Sequence, residues 1–242
     1  MTNFNKILTG IIVIVIVVLG YLYFKSNKTV TQNQDQSQTN QTSSNQPTSS
    51  NTQSQQSSNN QQTANIDTST VPATAIATFD TTDGSFQVTL DGKTAPKTVA
   101  NFIKLANEGY YNGTKFHRII QDFMIQGGDP NSKGSDQSTY GYGGPGYTVP
   151  AEINLKANVG AIGMASAGPG TPSSGSQFFI VTTESANNHA SLDGNYTFFG
   201  YVTSGMNIVT KIAATPVKAS LNNPAEISLP TQDVVINKIT IK

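Results

Sequence analysis

The 242-residue chain contains no cysteine and only two histidines, His117 and His189. Without cysteine it has no disulfide, no thiolate nucleophile and no cysteine-ligated metal. Two histidines do not complete a zinc site without carboxylate ligands, and neither H-x-x-x-H nor H-E-x-x-H spacing occurs. Ser176 lies in S-S-G-S-Q-F rather than in the G-x-S-x-G turn of many serine hydrolases. We therefore expect no metal and no cofactor, and a hydrolase or metal enzyme lacks its usual residues.

An excess of charge of either sign is also lacking. The 14 basic and 14 acidic residues give a formal net charge of zero, and no basic cluster occurs, so nucleic acid is not expected as a partner. Residues 141–146 (GYGGPG) match the letters of the G-x-G-x-x-G nucleotide motif. They lack the preceding hydrophobic strand and the following helix that this motif requires.

Three regions of different composition follow one another along the chain. Residues 7–24 are uncharged and mostly apolar, and as a helix they would span roughly 27 Å. We predict a transmembrane helix there, within an N-terminal anchor of residues 1–28. A cleavable signal peptide is the alternative, but its apolar core is usually shorter and ends in small residues. Basic residues flank both sides, so charge does not settle the orientation.

The region after the anchor is rich in Gln, Asn, Ser and Thr. We predict a disordered linker over residues 29–72, because such a composition buries too little apolar surface to offset the entropy of ordering. Residues 73–242 are long enough for one domain with a sizeable core. An anchor followed by a polar tether with few charges leads us to expect this domain outside the cytoplasmic membrane.

Residues 73–242 contain many short strand-like segments and only two clear helical patterns. A hairpin is predicted for residues 75–79 and 84–90 around Asp83-Gly84, and an amphipathic helix begins at Pro96 and ends near Gly109. Further strands are predicted at residues 116–120, 123–126, 161–165, 177–182, 197–202 and 233–241, and a second helix at 204–213. This pattern favours a β-barrel whose ends are covered by helices.

One charged side chain interrupts an apolar segment. In a strand over residues 116–120, Arg118 would share a face with Phe116 and Ile120. Considered alone, Arg118 fits an arginine that extends from a barrel surface to an unrelated carboxylate. The alternative is that Arg118 lines an apolar groove.

Three motifs decide between these interpretations: FHRIIQDFMIQGGDP from residue 116, MASAGPGTPSSGSQFFI from residue 164 and SLDGNYTFFG from residue 191. In this order they resemble the cyclophilin family of peptidyl-prolyl cis–trans isomerases, in its compact bacterial form, over residues 75–241. The resemblance implies a closed eight-stranded antiparallel β-barrel capped by two α-helices. It also implies proline-containing peptides and unfolded or folding proteins as partners.

The resemblance assigns site residues by motif. Arg118 matches the catalytic arginine, and Gln126 matches the glutamine that steadies it and bonds substrate backbone. The remaining matches line the proline pocket or the peptide groove: His117, Phe123, Met124, Ala165, Ser166, Ala167, Gln177, Phe179, Leu192 and Tyr196.

Four features depart from the family pattern. Ser166 replaces the asparagine of M-A-N-A, Ser191 stands where many members carry tryptophan, and Tyr196 replaces a histidine. The Ser191 position bears on tight cyclosporin binding more than on catalysis. We also expect residues 131–140 to be longer than the matching segment of compact relatives and to add a surface loop beside the groove.

The missing nucleophile, base and metal are consistent with prolyl isomerisation, in which no covalent bond breaks. The barrier to rotation is roughly 18–20 kcal/mol. When the amide twists, the proline nitrogen regains a lone pair, and a fixed guanidinium donor would favour that state over either planar one. The alternative is a proline-peptide-binding module of the same fold with little turnover, which the substitutions at Ser191 and Tyr196 support.

Overall fold

The computed structural model describes residues 62–242. The predicted transmembrane helix and most of the predicted linker lie outside the described residues. Within residues 62–242, no helix combines the length and the apolar character that crossing a membrane requires. The last part of the predicted linker contacts the folded domain. The Ala64 N–H donates to the Thr148 carbonyl at 2.8 Å, and the Thr148 N–H donates to the Gln62 carbonyl at 3.2 Å.

Ten strands and three α-helices make up the described part of the chain. The strands are β1 (Thr74–Thr81), β2 (Gly84–Asp91), β3 (Arg118–Ile120), β4 (Met124–Gly127), β5 (Ala161–Ser166), β6 (Ser173–Val181), β7 (Phe198–Ser204), β8 (Val217–Ala219), β9 (Ile227–Pro230) and β10 (Ile236–Ile241). The helices are α1 (Pro96–Asn107), α2 (Ala186–Leu192) and α3 (Met206–Ala213). Two short 3-10 helices, Pro130–Lys133 and Gln137–Thr139, lie in the connection between β4 and β5.

Eight strands form one antiparallel sheet in the order β10-β1-β2-β7-β5-β6-β4-β3, and β8 pairs with β9 separately. The sheet curls, and the chain around the start of one edge strand, β3, meets the chain around the start of the other, β10. The Phe116 N–H donates to the Val234 carbonyl at 3.0 Å, and the Ile236 N–H donates to the Thr114 carbonyl at 2.8 Å. The prediction of a closed barrel with two helices is thus confirmed only as a curled, mainly β fold with few helices. Within the described residues β3 and β10 share no ladder, and α2 is a third helix.

The predicted hairpin and first helix are confirmed. Side chains alternate between buried and exposed along β1 and β2, as period-2 patterning requires. Helix α1 begins at Pro96 and buries Val99 and Phe102. Its N-cap residue, Ala95, has no side chain that can cap. The carboxylate of Glu152 takes that role and accepts the N–H groups of Lys97 and Thr98 at 3.0 and 2.8 Å.

Three elements were not predicted. Strands β8 and β9 have three and four residues, and helix α2 (ANNHASL) has no apolar periodicity. Strand β3 also begins at Arg118 rather than at Phe116. Phe116 is 1% exposed and packs in the main core with Ile119, so it does not share the face of Arg118.

The main core lies inside the curled sheet and is rich in aromatic rings. Phe79 stacks on Phe86 with a centroid distance of 4.6 Å, and Phe178 meets Phe79 edge-on at 5.6 Å. Phe102 of α1 packs against both Phe79 and Phe178. Because each ring removes a large apolar area from water, this cluster stabilises the sheet on which the site is built.

Candidate active site

The register of strands β3, β4, β6 and β5 separates core residues from site residues. Ile119 pairs with Ile125, Ile125 with Ile180, and Ile180 with Ile162. These four isoleucines form a row that is fully buried in the main core. We call it the core row.

The next row along the same strands faces the opposite side of the sheet, because side chains alternate along a strand. Arg118 pairs with Gln126, Gln126 with Phe179, and Phe179 with Gly163. We call this the site row. It brings the predicted catalytic arginine and glutamine and one predicted pocket residue together from three strands.

A pocket of about 190 Å³ opens over the site row. All of its lining residues are among those predicted from the sequence: Arg118, Phe123, Met124, Gln126, Ala165, Ser166, Phe179, Leu192 and Tyr196. Met124, Phe179 and Leu192 are 3%, 5% and 5% exposed, so they form an apolar floor with little freedom to move. We call this cavity the proline pocket, after the ring that it would hold.

The floor of the proline pocket is fixed by a glycine beneath two aromatic rings. Phe179 meets Tyr196 and Phe198 edge-on, at centroid distances of 5.5 and 5.6 Å. A Cβ added at Gly163 would lie 2.8 Å from the Phe179 ring and 2.9 Å from the Phe198 ring. Only a residue without a side chain lets both rings lie this close to the strand.

A tight turn between β3 and β4 sets the position of Phe123. Asp122 has a φ of 57°, a left-handed conformation that aspartate tolerates better than most residues. The Phe123 N–H donates to the Ile120 carbonyl at 3.1 Å. The Asn188 side chain of α2 donates to the Asp122 carbonyl at 3.0 Å, which ties the unpredicted helix to this turn.

Arg118 is the only arginine in the sequence. Its Nε and Nη2 donate to the two carboxylate oxygens of Glu226 at 2.8 and 2.7 Å. Its Nη1 donates to Oε1 of Gln126 at 3.1 Å. The arginine therefore pairs with a carboxylate and also lines the proline pocket, so each of the two interpretations drawn from the sequence describes part of its environment.

Glu226 was not predicted as a site residue. It precedes β9 and lies 108 positions from Arg118 in the sequence, within a segment that carries no motif. Burial alone would raise the pKa of Glu226, but the hydrogen bonds and the positive charge of Arg118 hold that pKa below its usual value. The carboxylate is therefore ionised at neutral pH. No signal in the sequence alone could have paired these two residues.

A chain of amide hydrogen bonds extends from Gln126 away from the arginine. Gln126 Nε2 donates to Oε1 of Gln177 at 3.0 Å. Gln177 Nε2 in turn donates to the carbonyls of Gly141 and Gly143 at 2.9 and 2.8 Å. Since Gln177 is only 2% exposed, its amide is held by these partners and fixes the orientation of the Gln126 side chain.

The loop that supplies those carbonyls is organised by a buried carboxylate. Asp129 is fully buried, and it accepts the N–H groups of Asn131 and Gly141. Burial raises the pKa of Asp129, although these backbone hydrogen bonds oppose the rise. Asp129 thus holds both ends of the loop of residues 131–140, which was predicted to be longer than in compact relatives.

Three residues predicted for the site lie outside the proline pocket. Gln177 lies behind Gln126, as described above, and Ala167 is exposed at the end of β5. His117 is 6% exposed and borders a second, polar cavity of about 320 Å³, which also contacts Arg118, Gln126 and Glu226. Burial and the adjacent charge of Arg118 lower the pKa of His117 to about 4, so its ring is neutral at pH 7.

The positions that depart from the family pattern are accommodated in different ways. The Ser166 hydroxyl donates to the Gly168 carbonyl at 2.9 Å and lines the proline pocket. Tyr196 forms a wall of the pocket through its ring. Ser191 is exposed at the end of α2, and its hydroxyl donates to the Asn188 carbonyl at 2.7 Å.

The site therefore places one arginine at the edge of an apolar pocket, on a curled antiparallel sheet. The comparison with protein families is specific. Residues 76–241 match the family model for "Cyclophilin type peptidyl-prolyl cis-trans isomerase/CLD". The chain belongs to this family and is a peptidyl-prolyl cis–trans isomerase.

Similar curated proteins carry the same description. The chain is 40% identical over 157 residues to "Peptidyl-prolyl cis-trans isomerase-like 1" of Neurospora crassa, covering 64% of this chain and 91% of the relative. It is 45% identical over 135 residues to the protein of that name from Homo sapiens, covering 55% of this chain and 76% of the relative.

Solved structures agree on the fold. A cyclophilin type peptidyl-prolyl cis–trans isomerase from Cryptosporidium parvum superposes with a TM-score of 0.59 at 31% identity, covering 70% of this chain and 98% of the other. A second structure of that protein, determined in the presence of the dipeptide Ala-Pro, superposes with a TM-score of 0.58 at 30% identity and covers 69% and 98%.

Proposed function

We propose that this chain accelerates rotation about X–Pro bonds by donating a hydrogen bond from Arg118 to the twisted prolyl amide, and that in this way it assists protein folding. The observation that carries the proposal is the site row, which holds a charged donor at the edge of an apolar pocket. The planar amide has little basicity at nitrogen. Rotation localises the lone pair, so a donor aimed there stabilises the twisted state selectively.

The N–H groups of the Arg118 side chain fit this role. A guanidinium has five N–H groups. Three are used, two by Glu226 and one by Gln126. One N–H on Nη1 and one on Nη2 remain without a partner in the described residues. These two are available to a peptide bound in the proline pocket.

The apolar surroundings strengthen that hydrogen bond. Phe123, Met124 and Phe179 would hold the proline ring and exclude water from it. Coulombic attraction grows as the local dielectric falls, so a donor in a dry pocket contributes more than the same donor in water. Lowering the barrier by about 7 kcal/mol corresponds to roughly 10⁵-fold in rate.

The test is exchange NMR on an Ala-Pro peptide with the full-length chain at catalytic concentration. We expect the wild type to accelerate cis–trans exchange. The exchange rate with Arg118→Ala should be at least tenfold lower, which corresponds to a loss of about 1.4 kcal/mol or more of transition-state stabilisation. Peptide binding without faster exchange would favour the binding-module alternative. Fast exchange in the Arg118→Ala variant would contradict the role given to the arginine. Lys238→Ala is the matched control, because Lys238 is an exposed cation on β10.

We further propose that the isomerase domain is held outside the cytoplasmic membrane by residues 7–24. The support is the uncharged apolar run, followed by a polar tether that carries few charges. In cells, the full chain should sediment with membranes and resist alkaline extraction, whereas a chain lacking residues 1–28 should be released. Protease added to intact protoplasts should remove the domain. If it is protected there, the proposed orientation is wrong.

A further inference from the structure

The carboxylate of Glu226 forms a fork with Arg118 that the reaction proposed above does not by itself require. Both oxygens accept, at 2.8 and 2.7 Å, from the Nε and Nη2 edge of the guanidinium. Two parallel charge-assisted bonds fix the plane of a guanidinium as well as its position. The side chains of Arg118 and Glu226 are 34% and 27% exposed, so solvent screens this pair only partly.

The main chain around Glu226 is itself anchored. The Glu226 N–H donates to the Asn223 carbonyl at 2.8 Å, and its carbonyl accepts from the Ser220 N–H at 2.9 Å. The Asn222 side chain donates to the Tyr140 carbonyl at 3.0 Å, which ties this loop to the loop on the far side of the polar cavity. The β8–β9 pairing begins immediately afterwards, with Ala219 opposite Ile227. A carboxylate on a backbone held at these points is suited to orient its partner.

We propose that Glu226 is a positioning residue for isomerisation, which holds the Arg118 guanidinium so that the two N–H groups without a partner in residues 62–242 serve the proline pocket. The inference rests on the proposed function of Arg118 and extends it. Gln126 restrains only Nη1, through a single bond at 3.1 Å. Without Glu226 the guanidinium turns about that one bond, and the donors no longer meet the prolyl nitrogen in the twisted state.

The experiment compares Glu226→Ala and Glu226→Gln with wild type by exchange NMR on the Ala-Pro peptide, using the full-length chain. We expect Glu226→Ala to lower kcat by about tenfold with a smaller change in KM, because misplacement of a donor is felt in the transition state. Glu226→Gln retains the shape and one acceptor oxygen, so its loss should be intermediate. The matched control is Glu108→Gln, an exposed glutamate at the end of α1, which should leave kcat unchanged.

A second readout separates positioning from a merely structural role. Because Arg118 is the only arginine, a chain labelled with ¹⁵N-arginine gives a single Nε–Hε signal. This signal should be sharp and slow to exchange with water in the wild type, and should shift and exchange faster in both Glu226 variants. In a chain that already carries Arg118→Lys, adding Glu226→Ala should lower kcat much less than it does in the wild type, because lysine cannot form the two parallel bonds with Glu226.

Each outcome decides the matter. If Arg118→Ala retains full activity, the proposed function fails and the inference fails with it. If Arg118→Ala loses activity while Glu226→Ala matches or exceeds wild type, only the inference fails, and Glu226 is neutral or restrains the enzyme. An undiminished loss in the Arg118→Lys background, or an unchanged Nε–Hε signal, would show a structural role and would also overturn the inference.

Discussion

The stability of this protein should fall on mild acidification because of one buried histidine. His117 is 6% exposed, and neither of its ring nitrogens has a hydrogen-bond partner among residues 62–242. Burial lowers its pKa from 6.5 to about 4, with the neighbouring Arg118 charge acting in the same direction. Between those values the unfolded chain binds a proton that the folded chain does not. Stability from this residue is therefore complete above about pH 6.5 and is lost as the pH falls towards about 4.

The size of the effect follows from the difference between the two pKa values. At about 1.4 kcal/mol for each pH unit, the free energy of unfolding should fall by about 3 kcal/mol over this interval. His117→Gln removes the titrating group, so its unfolding free energy should change much less between neutral and acidic pH. For each protein, the unfolding free energy at acidic pH is compared with that of the same protein at neutral pH. This comparison cancels any effect of the substitution that does not depend on pH.

The assay is urea unfolding at about pH 7 and about pH 4.5, with tyrosine fluorescence as the signal that reports unfolding. His189→Gln is the control, since the ring of His189 is only partly buried and its Nε2 lies 2.7 Å from the Thr183 carbonyl. The reasoning is refuted if wild type and His117→Gln lose the same stability on acidification, or if His189→Gln removes the dependence instead.

Three further substitutions test the framework around the site. Gly163→Ala places a Cβ 2.8 Å from the Phe179 ring, so the exchange rate on an Ala-Pro peptide should fall by about tenfold while the far-ultraviolet circular dichroism is retained. Asp129→Asn turns an amide N–H towards a backbone donor in a fully buried position, and should cost about 2 kcal/mol in urea unfolding. Glu152→Gln weakens the cap of α1 and should cost about 1 kcal/mol by the same assay, whereas the exposed Glu184→Gln should stay within about 0.5 kcal/mol of wild type. An unchanged exchange rate in Gly163→Ala or an unchanged unfolding free energy in Asp129→Asn would contradict these expectations. So would an equal loss of stability in Glu152→Gln and its control, Glu184→Gln.

Much of the fold was predictable because its signals are local. The alternation in β1 and β2 and the apolar face of α1 extend over many residues, so they could be read directly from the sequence. Strands β8 and β9 could not, because three or four residues carry too little pattern to stand out from a loop. The prediction that Phe116 shares a face with Arg118 was wrong for a related reason. Its pairing with Val234 is a long-range contact that sets where β3 begins.

The site was predictable to the extent that motifs carry it. The nine residues that line the proline pocket were all named from sequence, since they fall within three recognisable segments. Glu226 was not, because its role depends on the position of one loop relative to a strand 108 residues away in the chain. The same holds for the support of Gln177 by the Gly141 and Gly143 carbonyls, which involves main-chain atoms that every residue type possesses.

The alternation of the site row and the core row also limits how the length of this chain can vary in evolution. Inserting one residue within β4 would reverse the alternation on one side of the insertion, so Ile125 could no longer face the core while Gln126 faces the groove, and a single event would disrupt both. Changes in length are therefore expected only in the connections between strands. Related enzymes should differ in the rim of the groove, where substrate preference can change, while the strands beneath it keep a constant length.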